Sequence, residues 1–310
     1  MRKSLLVGAV IVIIAVIGVG IAQWQRGQAP LPGGEPPISL PSEILPPSEP
    51  DWCPAVEVVS IPGTWESAAN DDPFNPQANP LSFMLSITGP LQQQYPIDRV
   101  RVWTTPYTAQ FRNIQTKAGR AEMTYDDSRA EGLARANAEL KYVADTCKST
   151  KFIVAGFSQG AVIAGDIANQ IGTRQNAVTP ERLLGAVIIA DGRRETGVGI
   201  NPGVAVAGVG AEIALQPLNG VVQAVTPGAT MTGARPGGFG EVADRAYEIC
   251  APNDSVCDAP QDVGTLVARA GDLLLANGNH AQYATNPGVI EGTTASDWTV
   301  QWARSVIEAR

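Results

Sequence analysis

The pattern of apolar and polar residues predicts a chain in which strands and helices alternate. Four short segments are rich in apolar or β-branched residues and are typical of strands: 55–61, 98–104, 151–155 and 183–190. Five longer segments have apolar residues at helical spacing: 81–91, 128–145, 161–171, 262–276 and 296–309. Ser128 and Glu131 have the spacing of a capping box at the start of the second of these helices. Strands that alternate with helices predict a three-layer α/β domain with a central parallel sheet.

The first fifty residues have a different character. Residues 5–22 carry no charged or polar side chain, follow the basic pair Arg2-Lys3, and are about long enough to span a bilayer. Small residues at their end also fit a cleaved signal peptide, which remains the alternative. Residues 23–50 contain eight prolines and predict an extended linker. We expect residues 1–22 to anchor the protein in the cytoplasmic membrane, with the folded domain, 51–310, outside the cytoplasm.

Net charge and cysteine content limit which partners the protein can bind and indicate the compartment in which it folds. The net charge of −8 and the absence of a Lys/Arg run argue against nucleic acid as a partner. No Cys-x-x-Cys pair indicates a zinc site. An even number of cysteines in an exported domain predicts two disulfide bonds. The four residues available for them are Cys53, Cys147, Cys250 and Cys257.

The motif with the clearest chemical meaning is Gly-Phe-Ser-Gln-Gly at residues 156–160. It lies between the predicted strand 151–155 and the predicted helix 161–171, as a nucleophile elbow requires. In such an elbow the flanking glycines let the strand and helix approach without a clash of Cβ atoms. The alternative is a tight strand–helix turn without catalytic meaning. We favour the first interpretation, in which Ser158 is a nucleophile.

A serine nucleophile needs a base, and the chain contains one histidine, His280. Its position after Ser158 fits the order Ser, acid, His of α/β hydrolases. Two acids between them are candidates: Asp191 at the end of a predicted strand, and Asp254 between Cys250 and Cys257. A disulfide between those cysteines would close a small loop and hold one carboxylate rigidly. For that reason we favour Asp254 over Asp191.

With these motifs the chain resembles the cutinase family, and within it the membrane-anchored cutinase-like lipid hydrolases of mycolic-acid-bearing actinobacteria. The resemblance runs from about Cys53 to the carboxyl terminus. It rests on the 156–160 motif, the Cys-x6-Cys loop around Asp254, the cysteine spacing, and His280 with Tyr283 following it. The resemblance implies a Ser158, Asp254 and His280 triad, and disulfide bonds Cys53–Cys147 and Cys250–Cys257.

The same resemblance implies an oxyanion hole. In the family, one donor is the backbone N–H of the residue after the nucleophile, here Gln159. The second is a hydroxyl residue in a turn after the first strand, and Thr64 in Pro-Gly-Thr-Trp-Glu at residues 62–66 takes that place. Trp65 departs from the usual turn; it keeps the donor and narrows the expected cleft.

Together these features predict a serine esterase that hydrolyses acyl esters or thioesters of envelope lipids or phospholipids through an acyl-Ser158 intermediate. No metal or organic cofactor is implied. An acyltransferase that passes the acyl group to a sugar or lipid hydroxyl would use the same residues. A non-catalytic module that binds the envelope is the other alternative.

A long stretch at residues 192–240, called the insertion below, is rich in Gly, Ala and Pro. Between Glu195 and Arg235 the sole charged residue is Glu212. Disordered segments are usually polar and charged, so disorder fits this composition poorly. Two hypotheses remain: extra core packed away from the site, or a mobile apolar flap that shelters a long acyl chain.

Overall fold

The structure is a computed structural model that describes residues 49–113, 117–262, 264 and 278–310. The predicted anchor, nearly all of the predicted linker and most of the predicted 262–276 helix lie outside the described residues. Within the described ranges, no helix combines the length and the apolar character needed to cross a membrane.

A five-stranded parallel sheet forms the centre of the domain, with strand order β2-β1-β3-β4-β5. The strands are β1 (Val56–Ile61), β2 (Val100–Thr104), β3 (Lys151–Phe157), β4 (Leu183–Ile189) and β5 (Ala246–Ile249). The first four confirm the predicted strands to within a few residues. The sequence pattern missed β5 because it has four residues, one of them the buried acid Glu248.

The described helices are α1 (Leu85–Gln94), α2 (Lys117–Arg120), α3 (Tyr125–Thr146), α4 (Gln159–Gly172), α5 (Ala211–Ala214), α6 (Asn219–Val225) and α7 (Ala295–Glu308). Short 3-10 turns cover Pro180–Arg182, Gln216–Leu218 and Gly240–Arg245. The predicted capping box is wrong: α3 begins earlier, and Thr124 caps it by accepting a hydrogen bond from the Asp127 N–H. Ser128 instead donates its hydroxyl to the Thr108 carbonyl.

Helices cover both faces of the sheet, which confirms the predicted three layers. Neighbouring strand residues point to opposite faces, so Val58 and Val59 belong to different core clusters although both are buried. Helices α1 and α7 pack on one face, and α3 and α4 pack on the other. Because both faces are buried, the strands are almost wholly apolar, as the sequence pattern indicated.

Glu212, the one charged residue between Glu195 and Arg235, connects the middle of the insertion to the domain. Glu212 is buried and accepts hydrogen bonds from the Tyr125 hydroxyl at 2.6 Å and from the Thr232 hydroxyl. Its carboxylate also forms an ion pair with Arg129 of α3 at 3.0 Å. These contacts are those of a packed segment and argue against a fully mobile flap, although α6 has no buried residue and leaves Val221 and Val225 exposed.

Two disulfide bonds are present, Cys53–Cys147 and Cys250–Cys257. This is the pairing that the family resemblance implied. The first joins the chain before β1 to the carboxyl end of α3, and the second closes a short loop after β5. The first bond therefore connects the start of the domain to α3. The second restrains a loop near the carboxyl ends of the strands.

Candidate active site

The turn from β3 into α4, residues 156–160, has the geometry of a nucleophile elbow. Ser158 has φ 55° and ψ −119°, a backbone conformation rarely adopted by residues other than glycine. A Cβ on Gly156 would lie 2.1 Å from the Gly160 carbonyl oxygen. A Cβ on Gly160 would lie 2.1 Å from the Ile61 carbonyl oxygen of the neighbouring strand. Both positions therefore require glycine for the strand, the turn and the helix to pack together.

Three predicted side chains form one hydrogen-bonded chain across the carboxyl edge of the sheet. The Ser158 Oγ lies 2.9 Å from the His280 Nε2. The His280 Nδ1 lies 2.9 Å from the Asp254 Oδ2. The imidazole stacks on the Phe157 ring, with centroids 5.1 Å apart. This order lets the imidazole accept a proton from serine while the carboxylate holds its opposite nitrogen.

Asp254 belongs to the disulfide loop, residues 250–257, and is fully buried. Its Oδ1 accepts the Val256 N–H at 3.0 Å, and its Oδ2 accepts the Tyr283 hydroxyl at 2.7 Å. Burial is the largest influence on this carboxyl and raises its pKa. The hydrogen bond and charge of His280, with the other two donors, outweigh burial and hold the pKa of Asp254 below its usual range. Asp254 therefore carries a negative charge beside the imidazole.

The insertion fixes the disulfide loop from one side. The buried guanidinium of Arg194 donates to the carbonyls of Cys257 and Gly208. Asp258 accepts the N–H of Gly208 on one oxygen and the N–H of Asn253 on the other. These bonds connect the loop that carries Asp254 to the start of the insertion.

The alternative acid, Asp191, lies in a different environment. It is buried, and its two oxygens accept the Arg235 guanidinium at 2.6 and 3.2 Å. Arg235 also contacts Asp166 on α4 at 2.8 Å. Arg235 of the insertion thus connects Asp191 to α4, and Asp254 is the carboxylate that contacts His280.

The 62–66 turn lies against the elbow, because a Cβ on Gly63 would be 3.3 Å from the Ser158 Cβ. Thr64 is the next residue, which places this predicted oxyanion donor close to the serine. The other predicted donor, the Gln159 N–H, is at the first position of α4. N–H groups there have no partner within the helix, and the helix dipole favours negative charge at this end.

Glu66 holds the 62–66 turn in place. Its carboxylate accepts the N–H of Gly63 at 2.9 Å, the N–H of Phe83 at 2.7 Å and the hydroxyl of Ser82 at 3.1 Å. Burial raises the pKa of Glu66, and these donors together with His280 oppose the shift. The turn is thereby tied to the chain that leads into α1.

Trp65 in the same turn presents an apolar surface next to the predicted oxyanion donor. It has φ 64°, and its side chain is 55 % exposed. Its backbone N–H donates to the Ala109 carbonyl, and its indole N–H donates to Glu122 at 3.0 Å. The indole is therefore exposed and also fixed in orientation.

Sequence reasoning assigned no role to two residues that contact this site, Glu66 and Tyr283. Each acts through its side chain, and most of the partners lie far away in the sequence, so a local pattern does not reveal them. Two signals in the sequence could have pointed to them. Tyr283 follows His280 in the motif on which the family resemblance rests, and Glu66 directly follows Trp65 in the turn with the expected oxyanion donor.

A parallel α/β sheet with a serine, histidine and aspartate at its carboxyl edge is the arrangement typical of α/β serine hydrolases. The sequence model of the family described as Cutinase matches residues 86–270, more than half of the chain. The chain is also 56% identical to the Carboxylesterase Culp6 homolog of Corynebacterium glutamicum, over 99% of both sequences. The chain belongs to the cutinase family and is a carboxylic ester hydrolase.

Solved structures are similar in fold at low sequence identity. An acetylxylan esterase is 17% identical, with a TM-score of 0.50 over 82% of this chain and 99% of its own. A cutinase-like protein from Cryptococcus sp. is 15% identical, with a TM-score of 0.48 over 84% of this chain and 98% of its own. At this low sequence identity, the similarity to the acetylxylan esterase concerns the fold and not the activity.

Proposed function

We propose that this protein is a serine esterase that hydrolyses acyl esters or thioesters of envelope lipids or phospholipids through an acyl-Ser158 intermediate. The observation that carries the proposal is the continuous hydrogen-bonded chain from Ser158 through His280 to Asp254. Ser158 is the nucleophile, His280 is the general base and then the general acid, and Asp254 orients the imidazole.

In the first half of the reaction, the Ser158 Oγ attacks the carbonyl carbon while its proton moves to the His280 Nε2. The tetrahedral intermediate collapses, the bond to the alcohol or thiol breaks, and His280 returns the proton to that leaving group. In the second half, His280 takes a proton from water, whose oxygen attacks the acyl-serine. The carboxylic acid leaves and Ser158 regains its proton.

The negative charge on the carbonyl oxygen needs donors that are already in place. We assign this role to the Gln159 N–H and to Thr64. The fixed positions of α4 and of the 62–66 turn support the assignment, because donors that need no rearrangement stabilise the transition state most effectively. One such donor contributes about 3 to 4 kcal/mol.

Lipid substrates and a location outside the cytoplasm form the second part of the proposal. The exposed, oriented indole of Trp65 beside Thr64 offers an apolar surface for an acyl chain. Two disulfide bonds are typical of proteins in oxidising compartments. We propose that residues 1–22 anchor the domain to the cytoplasmic membrane from outside. The name of the Corynebacterium relative, a carboxylesterase, supports ester substrates.

The nucleophile is tested by covalent labelling with a fluorophosphonate and by ester hydrolysis, in wild type and two serine variants. Ser158→Ala should lose labelling and at least about 10⁴-fold in kcat, because triad members act as a unit. Ser305→Ala, at an exposed serine of α7, should keep both. Labelling of folded Ser158→Ala at the wild-type rate would exclude the serine mechanism.

The substrate class is tested by mass spectrometry of products from total envelope lipid extract, with Ser158→Ala as the blank. Free fatty acids or lysolipids that appear with wild type alone would support lipid hydrolysis. Acylated sugars or lipids formed in the presence of an added hydroxyl acceptor would identify the acyltransferase alternative. Labelling without any change in the extract would contradict lipid substrates while leaving the serine mechanism intact.

A further inference from the structure

Tyr283 contacts the charged side of the triad from within the core. Its hydroxyl donates to the Asp254 Oδ2 at 2.7 Å, the same oxygen that lies 2.9 Å from the His280 Nδ1. The hydroxyl also accepts the Ala251 N–H at 2.8 Å. Tyr283 is fully buried, so water cannot replace either bond. One phenol therefore links the start of the disulfide loop to the carboxylate that the loop carries.

The ring of Tyr283 is fixed by aromatic neighbours. It packs edge-on against Phe157, with centroids 5.7 Å apart, and against Phe83 at 6.2 Å. Its backbone carbonyl accepts the N–H of Ala295 at the start of α7. The ring thus has a defined position that depends on the sheet and on α7, and the hydroxyl also lies 3.4 Å from the Cys257 Sγ of the disulfide.

We infer that Tyr283 is a positioning residue, which fixes the Asp254 carboxylate against His280 and limits how strongly that carboxylate holds the imidazole proton. The inference rests on the proposed serine mechanism and extends it. Two donors share the Asp254 Oδ2, so the charge available to an imidazolium is reduced by the phenol. The Ala251 N–H polarises the phenol and strengthens its donation, as in other buried hydrogen-bond chains.

Removal of the phenol oxygen should have two separable effects. The carboxylate loses one of its fixed donors, so its orientation toward His280 is less defined and kcat falls. Without the phenol, the negative charge on the Asp254 Oδ2 is also less neutralised by hydrogen bonds, so it stabilises the protonated imidazole of His280 more strongly. The acid limb of the activity profile then moves to higher pH. Other ionisable groups near the pair are Glu66 and Arg194, and neither is altered.

The test compares Tyr283→Phe with Tyr125→Phe. Tyr125 is a matched control because its buried hydroxyl also donates to a carboxylate, Glu212 at 2.6 Å, within the insertion. Tyr283→Phe should lower kcat about 10-fold with KM within about twofold, and should raise the acid-limb midpoint by about 0.5 to 1 pH unit. Tyr125→Phe should leave the kcat and the midpoint unchanged. Unfolding midpoints are measured for both variants.

If the role of Tyr283 were purely structural, Tyr283→Phe would lose stability and leave the acid limb where it is. That outcome would overturn the inference. If Tyr283→Phe does not fold, 3-fluorotyrosine at position 283, a stronger donor of nearly the same size, should move the acid limb to lower pH; an unchanged limb would overturn it equally. Fluorophosphonate labelling of the wild type distinguishes these outcomes from a failure of the proposed serine mechanism. If the serine mechanism were wrong, the wild type would not be labelled at all.

Discussion

The elbow positions Ser158 and the disulfide loop positions Asp254, and the two regions do so by different physical means. The backbone alone determines the position of Ser158: β3 ends, two glycines allow close packing, and α4 begins one residue later. Asp254 lies on a loop beyond β5 that has no regular structure of its own. A disulfide bond, the Tyr283 hydroxyl and the contacts of Arg194 and Asp258 define its position.

This difference predicts which changes affect folding and which affect chemistry. A perturbed elbow disturbs strands and helices of the core, so folding and activity should fail together. A perturbed disulfide loop disturbs side-chain bonds at the edge of the domain, so activity should fall further than stability. A displacement of about 1 Å at a catalytic group can lower the rate about 100-fold.

The largest effect is expected for Gly156→Ala in the elbow. The new Cβ would lie 2.1 Å from the Gly160 carbonyl oxygen and 2.8 Å from the Ala164 Cβ, so strand and helix must separate. We expect the free energy of unfolding to fall by about 3 kcal/mol or more, with loss of activity. Urea unfolding and ester hydrolysis measure the two quantities.

Gly220→Ala is the matched control, since nothing lies within 4 Å of a Cβ at that exposed position of α6. It should raise the free energy of unfolding by about 0.5 to 1 kcal/mol. A Gly156→Ala variant with wild-type stability and activity would show that the elbow tolerates separation of β3 and α4.

An intermediate effect is expected when the two disulfide bonds are removed one at a time. In the chain-entropy model, Cys250–Cys257 contributes about 2.5 kcal/mol and Cys53–Cys147 about 4.7 kcal/mol. The Cys250→Ser/Cys257→Ser variant should therefore lose less stability, yet its kcat should fall about 10- to 100-fold because Asp254 moves. The measurements are kcat and the urea midpoint at a temperature where both variants are folded.

The Cys53→Ser/Cys147→Ser variant serves as the control, with a larger loss of stability and a kcat within about twofold of wild type. The opposite ranking would mean that the disulfide loop holds its shape without its bond. In that case the insertion and Tyr283 would suffice to position Asp254.

The same contrast explains what could be predicted from the sequence. Four strands and the elbow were predictable because local spacing determines them, and the layers followed from the apolar character of the strands. The strand β5 was not predictable, because a short segment with a buried Glu248 acquires strand structure from β4. The contacts of Tyr283 and Glu66 join residues far apart in the sequence. The packing of the insertion also depends on bonds of this kind, among them the ion pair between Glu212 and Arg129.

The smallest effect on catalysis is expected within the sheet, at Glu57 of β1. This residue is fully buried, and its Oε2 lies 3.4 Å from Arg101, which also pairs with Glu139 at 2.6 Å. Burial raises the pKa of Glu57 to about 9, with Arg101 opposing the shift and Glu139 adding to it. The folded protein therefore keeps a proton on Glu57 at pH values where the unfolded chain has released it.

The sign of the pH dependence follows from this difference in bound protons. Between the ordinary pKa of 4.5 and the folded value of about 9, the folded state holds more protons, so stability falls as pH rises. Glu57→Gln removes this slope. We expect similar unfolding free energies for the variant and wild type at pH 5. At pH 8.5 the variant should exceed wild type by at least about 1 kcal/mol, since one proton corresponds to about 1.4 kcal/mol per pH unit.

Urea unfolding at the two pH values measures the effect, and ester hydrolysis measured alongside should show an unchanged kcat. Glu291→Gln, which makes the same change of formal charge at an exposed residue, controls for net charge. A wild-type-like slope in Glu57→Gln would mean that Arg101 keeps Glu57 ionised in the folded protein. A changed kcat would contradict the comparison between the elbow and the disulfide loop. It would mean that catalysis also depends on a buried side chain of β1, outside both regions.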